Sequence, residues 1–160
     1  CLFKQQGCYV EFSSPAQPTE HMIDLSMEDI SSQAIRLNCD SFDAYIKKLQ
    51  PDIVMFDRFM MEEQYGWRVE KQCPNALKIL DTEDLQCLRH ARHQALKSER
   101  EVTKTDLFSE LAKREIAAIL RCDISLIISD VEMELLIDTF KVDASLLHHL
   151  PFMIDRKSVV

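Results

Sequence analysis

Two unbroken apolar runs set the pattern of this chain. Ile53 to Phe56 reads Ile-Val-Met-Phe between Pro51-Asp52 and Asp57-Arg58, and Ala76 to Leu80 repeats the arrangement before Asp81-Thr82-Glu83-Asp84. Runs this short, without alternation, predict strands covered on both faces, as in parallel sheets. Ile124 to Ile128 predicts a further strand, and Cys8 to Phe12, Ala34 to Leu37 and Leu146 to Leu150 predict three more. Between them, apolar positions recur at helical spacing. Phe42, Tyr45, Ile46 and Leu49 follow a cap at Ser41; Leu85, Leu88 and Ala95 mark a helix over Asp84 to Lys97. Phe108, Leu111, Ala112, Ile116, Ile119 and Leu120 mark a long helix from a cap at Asp106 to Arg121, and Met133, Leu136, Ile137 and Phe140 a helix that starts at Ser129-Asp130. Asp24 to Asp29 predicts a short helix. Strands alternating with helices require right-handed crossovers, so the expected fold is α/β, a Rossmann-like three-layer domain with a mostly parallel sheet of about six strands.

Cys1 to Gln6 reads as the last turns of a helix, with Gly7 ending it in the left-handed conformation. With no helix start before it and Cys rather than Met in first place, an earlier strand and most of a helix are expected to be missing. The reading is a domain truncated at both ends, spanning residues 1–155, with 156–160 beginning a linker to an absent second domain.

At 160 residues, 46% hydrophobic and 29% charged, the chain has the composition of an ordinary globular domain. Its formal net charge of -8 repels polyphosphate backbones, so no nucleic-acid partner is expected. The longest apolar runs fall well short of a membrane helix. Six cysteines without C-x-x-C spacing read as reduced thiols in a cytoplasmic protein. Only two glycines, Gly7 and Gly66, leave no G-x-G-x-x-G or Walker loop. Gly66 inside a helix costs about 1 kcal/mol against Ala, which close packing against a neighbour would explain.

Candidate chemistry gathers where the apolar runs end. In open α/β sheets ligands lie outside the carboxyl ends of the strands, where Asp57, Arg58, Asp81, Glu83 and Asp84 are placed. Such carboxylates orient sugar hydroxyls, act as a general base or bind a divalent ion; the plainer alternative is that they cap the following helices, as Asp84 is expected to. Glu62 and Glu63 in the first turn of the next helix fit its dipole. Tyr65 and Trp67 are core or stacking residues. Cys87, His90 and His93 recur every three residues without a fourth ligand, and a solvated edge explains them better than a metal site. Of His148 and His149, neighbours on a strand, at most one faces a cleft. No G-x-S-x-G, H-E-x-x-H or paired C-x-x-C is present.

The segments PDIVMFDRFMMEEQYGWRV, LKILDTEDLQCLR, REIAAILRCDISLIISDVEMELL and LLHHLPFMID, in this order, make the chain resemble the N-terminal, acceptor-side half of GT-B glycosyltransferases of the family-4-like group. The resemblance implies a Rossmann-like domain that holds the acceptor, with a second domain binding a nucleotide-sugar. Arg121 to Ser129 looks like the family's aspartate, hydrophobic strand, serine segment, which brings Ser129 to the cleft. Phe152-Met153 replaces the family's Asn-Gly in the strand that leads to the second domain. Glu83-Asp84 stands where many members carry His-Asp, so no sugar-contacting histidine carries over. The function implied is the acceptor side of a retaining transferase that moves a sugar onto a hydroxyl, inactive by itself. Asp57, Arg58, Glu83, Asp84 and Ser129 would bind substrate. No metal or further cofactor is expected; the partners are a sugar acceptor, the missing donor domain and, through the full-length protein, a membrane surface. The alternative is a non-catalytic flavodoxin-like regulatory or interaction module.

Overall fold

The structure, a computed structural model, describes residues 2–17, 19–20 and 22–151. It is α/β with parallel strands and is Rossmann-like. β1 (Glu11–Ser14) and β2 (Ser31–Ala34) pair in parallel, while β3 (Ile53–Asp57), β4 (Leu77–Asp81), β5 (Ile124–Ile127) and β6 (Leu147–His149) form a four-stranded parallel sheet in that order. The chain divides into two compact units, Cys1–Leu49 and Gln50–Val160. Phe152-Met153 and the expected linker over 156–160 lie outside the described residues.

The first unit runs from α1 (Leu2–Gln5) through β1, a 3-10 turn over Leu25–Glu28 and β2 to α2 (Ser41–Leu49). Gly7 has φ 82°, the left-handed geometry expected of it. Both strands sit a few residues away from the apolar windows that predict them. This small sheet is not organised by burial, since β2 has no buried side chain. Polar links hold it instead: the Tyr45 hydroxyl donates to Glu11 Oε1 at 2.6 Å and lies 2.7 Å from Ser13 Oγ.

The second unit carries α3 (Arg58–Gln72), α4 (Gln86–Lys97), α5 (Lys104–Leu107), α6 (Glu110–Arg121) and α7 (Asp130–Glu134), the last continuing as a π-helical turn over Leu135–Thr139. The single long helix expected from Asp106 is two. Asp106 sits in the first turn of α5, in a capping box with Thr103, and Ser109 opens α6 by accepting from the Ala112 N–H. Phe108, expected inward, is 57% exposed in the break between them.

The register aligns Phe56, Leu80, Ser125 and Leu147 in one row across the sheet. All four are buried, beneath α3 over β3 and β4 and α7 over β5 and β6, with α6 against α3. On the other face Ile53, Met55 and Leu77 are 47%, 41% and 42% exposed, while Ile79 and Ile124 are half-buried. Within this unit the connecting helices lie over one face. The cause is topological: successive steps from β3 to β6 run in one direction, and right-handed crossovers then put every connecting helix on the same side.

Gly66 has the packing reason expected of it. Glu62, 2% exposed, is not a first-turn residue; it lies one turn into α3 and accepts from Arg121 Nε at 2.9 Å, with Arg121 Nη2 on its other oxygen. A Cβ on Gly66 would lie 2.3 Å from Glu62 Oε1. The glycine leaves room for a buried carboxylate that ties α3 to α6, and that carboxylate is expensive to leave unpaired.

No disulfide joins the described cysteines, and Cys73, Cys87 and Cys122 are buried. Burial, then the Glu62 charge, pushes the Cys122 thiol up to about 12. Among the described residues no helix is long and apolar enough to cross a membrane.

Gly66→Ala should destabilise the protein by about 1–3 kcal/mol through overpacking, although it removes a helix penalty of about 1 kcal/mol. In a Glu62→Ala background the same change should stabilise by about that 1 kcal/mol. Urea unfolding of the four proteins in this double-mutant cycle reads the reversal of sign; additive effects would show that Glu62 is not what the glycine accommodates.

Candidate functional site

All four strands of the larger sheet point the same way, so their carboxyl ends form one edge. Asp57 closes β3, Asp81 closes β4, Ser129 and Asp130 follow β5, and His149 closes β6. The chain then turns sharply twice. Arg58 passes from strand to helix at φ 68°, and Glu83 stands at φ 57°. Both are left-handed and neither is glycine, a geometry that costs about 1–2 kcal/mol per residue.

The sequence dictates the second turn through side chains that bond to backbone. Thr82, 2% exposed, donates its hydroxyl to the Leu126 carbonyl at 2.8 Å. Asp81 Oδ1 accepts from the Glu83 N–H at 3.2 Å, and the Asp84 N–H closes onto the Thr82 carbonyl at 2.7 Å. Glu83 is thus the apex of a three-residue turn at positive φ, the rare and strained form. Two apexes on neighbouring strands bring their charges together: Arg58 Nε donates to Glu83 Oε2 at 2.6 Å, and Arg58 Nε lies 3.5 Å from Asp57 Oδ1.

Asp57, Arg58 and Glu83 therefore form one polar group. The Asp57 carboxyl is raised by partial desolvation first, although its side chain is 71% exposed, and then by the Glu83 charge, against the opposing pull of Arg58. Arg58 is held charged chiefly by its hydrogen bond to Glu83. Such a group offers acceptor oxygens and a guanidinium on one open edge, chemistry suited to hydroxyls and anions.

Asp84 belongs to the same turn but does not cap α4; its carboxylate lies 3.2 Å from Arg89 Nε. The N-cap of α4 is Leu85, which has no side chain to cap with. Two buried glutamates replace it. Glu115 on α6 accepts from the Gln86 and Cys87 N–H groups, both at 2.9 Å, and Glu132 on α7 accepts from the Leu85 N–H at 2.9 Å. Burial raises the Glu115 pKa, opposed first by the Cys87 thiol and then by the same two backbone hydrogen bonds. Neither glutamate stands out as a site residue in the sequence. The available signal is periodicity: Glu115 falls on the apolar stripe of α6, three residues after Ala112 and four before Ile119.

Ser129 stands at the same edge but serves as the N-cap of α7, accepting from the Glu132 N–H at 3.3 Å. Beside it, His149 Nδ1 lies 3.2 Å from Asp130 Oδ1, while His148 is exposed. Tyr65 is core at 4% exposure; Trp67 is 53% exposed, with the Arg68 guanidinium 4.5 Å from its ring centre. Cys87 is buried and His90 and His93 are exposed, so the three do not share an edge. None of these residues lines either of two surface depressions, one of 540 Å³ within the first unit beside Met22, Ile23 and Leu25 and one of 310 Å³ at the amino end of β4 beside Glu70, Lys78 and Asp123.

The fold and this edge define a Rossmann-like α/β protein with a charged group at the carboxyl ends of its parallel strands. Comparison with protein-family models, with curated proteins and with solved structures finds no match to the chain.

Because the folded state raises the Asp57 pKa, its contribution to stability is present below the ordinary value of about 3.9 and is lost as pH rises through the raised one. Asp57→Asn should therefore gain on the wild type between about pH 3.5 and pH 7 in urea midpoint. An unchanged difference at the two pH values would show that Asp57 titrates normally.

Proposed function

We propose that this chain is the acceptor-side domain of a nucleotide-sugar-dependent, retaining glycosyltransferase of the GT-B kind. The observation that carries the reading is the Asp57, Arg58 and Glu83 group, held by two left-handed turns at the carboxyl ends of adjacent parallel strands. Ligands of open α/β sheets gather in that position, and backbone strain of this type concentrates at binding sites.

The roles follow from chemistry. Asp57 and Glu83 accept hydrogen bonds from acceptor hydroxyls, and Arg58 positions Glu83 while offering its remaining N–H groups to a phosphate or carboxylate on the acceptor. Asp84 and Ser129 flank the group at the neighbouring turns. The donor sugar and the groups that activate it belong to a second domain. Reduced thiols fit a cytoplasmic enzyme, and a peripheral membrane location belongs to the same proposal through the full-length protein.

The test uses the full-length polypeptide and a panel of nucleotide-sugars. Binding to the native state alone stabilises by about 2.7 kcal/mol at a hundredfold excess over Kd, so the true donor raises the melting temperature of the full-length protein and leaves that of the 160-residue chain unchanged. Arg58→Ala and Glu83→Ala should then raise the acceptor KM about tenfold or more, with the donor-induced shift intact. Turnover by the 160 residues alone, or no shift with any nucleotide-sugar, sinks the reading.

A further inference from the structure

The first unit carries a concave surface built from its own residues. A groove of 540 Å³ is lined by Met22, Ile23, Leu25 and Ile30, with Ser31 and Ser32 of β2 along one side. Its apolar side chains are displayed rather than packed: Met22 is 45% exposed and Ile23 77%. The turn that presents them is fixed by local bonds. Asp24 Oδ1 accepts from the Ser26 N–H at 3.0 Å, the Asp29 N–H donates to the Ser26 carbonyl at 3.0 Å, and the Ile30 N–H donates to the Leu25 carbonyl at 3.1 Å. Asp24 and Asp29 also line the groove. They belong to an acidic stretch, since Glu11, Glu20, Asp24, Glu28 and Asp29 lie between Lys4 and Arg36 with no lysine or arginine among them. Strand β2 is paired with β1 along one edge, and among the described residues its other edge meets no strand.

We propose that this groove docks an extended segment of a partner protein in which basic residues alternate with aliphatic ones, added as a strand to the free edge of β2. The inference is independent of the transferase reading. Charge selects the partner. Carboxylates along the groove attract lysine and arginine and repel the phosphates of nucleic acid and of anionic lipid, so the displayed Met22 and Ile23 do not mark a membrane-inserting patch. The strand edge selects the conformation. β2 reads Ser-Ser-Gln-Ala with no buried side chain, an edge too polar to draw in another strand by apolar burial alone. An added strand takes main-chain hydrogen bonds from β2 and buries its aliphatic side chains against Met22 and Ile23, which is how strand addition divides affinity from specificity. A docked helix leaves the N–H and C=O groups of that edge to water. Because the turn is already fixed, little ordering cost falls on this side of the complex.

The test is fluorescence anisotropy of a labelled, end-blocked peptide, Lys-Val-Arg-Ile-Lys-Val-Arg-Ile, titrated with the 160-residue chain. One control peptide carries Glu at every basic position. Two others keep the sequence but are N-methylated at every second residue, one in each phase, which removes the donors of one strand edge and leaves charge and apolar content unchanged. The expected result is saturable binding of the parent peptide and none of the Glu version. Met22→Ser and Ile23→Ser should each weaken binding about tenfold, and one of the two N-methylated phases should do the same. Asp29→Asn, a residue type tolerated at the φ of 54° found there, should weaken it about threefold. Leu96→Ser, at an exposed position of α4, should leave it unchanged. Absence of saturable binding, equal binding of the Glu version, or full affinity in both Met22→Ser and Ile23→Ser would overturn the proposal. So would tolerance of both N-methylated phases, or binding of the chain to phosphatidylserine vesicles that these two serine variants abolish.

Discussion

The turn after β4 depends on carboxylates that do not belong to it. Helix α4 begins at Gln86 with no capping side chain of its own, and its first N–H groups would be left unsatisfied in a buried place at about 1–3 kcal/mol each. Glu115 and Glu132 reach them from α6 and α7. These bonds cost the desolvation of two acids, and that cost is tolerable because a helix N-terminus favours negative charge. With Leu85, Gln86 and Cys87 fastened below and Thr82 fastened to the β5 backbone, the residues between them have little freedom. Glu83 is forced to the apex and outward.

A second spine sets α3 against α6. Glu62 and Arg121 meet across the two helices, and Gly66 clears the space that the carboxylate fills. Because α3 starts immediately after Asp57, its position also fixes the sharp turn at Arg58. The two tethers thus act on opposite sides of the same polar group: one through the helix after β3, the other through the loop after β4. Arg58 and Glu83 meet because their backbones are already placed, and their contact is a consequence of the helix layer below the sheet.

Much of this architecture is legible in the residues. Apolar runs bounded by charge locate β3, β4 and β5, and the amphipathic spacing of Ala112, Glu115, Ala118 and Ile119 locates the buried side of α6. Asp57, Arg58 and Glu83 are foreseeable as neighbours because parallel strands align their carboxyl ends. Three things are not legible, each for a physical reason. The small sheet of the first unit is held by Tyr45 hydroxyl contacts and not by burial, so hydrophobic windows misplace β1 and β2. Asp84 has the residue type of an N-cap, but local spacing cannot show that Glu115 and Glu132, distant in the chain, serve that helix instead. Which face of the larger sheet this unit's helices take cannot be read from Ile-Val-Met-Phe, because the side of the crossovers depends on strand order.

Magnitudes decide whether the Arg58 and Glu83 contact explains itself. Two non-glycine residues in the left-handed region cost about 1–2 kcal/mol each. An ion pair between side chains that are 41% and 48% exposed returns at most about 1 kcal/mol. The pair therefore does not offset its own geometry, and a sequence selected for stability alone would put glycine or asparagine at both apexes. Retaining arginine and glutamate there, on backbones held from below by buried carboxylates, makes sense where the charges themselves are used. The carboxyl edge of a parallel sheet is where such use is expected, and the raised Asp57 carboxyl beside Arg58 belongs to the same arrangement.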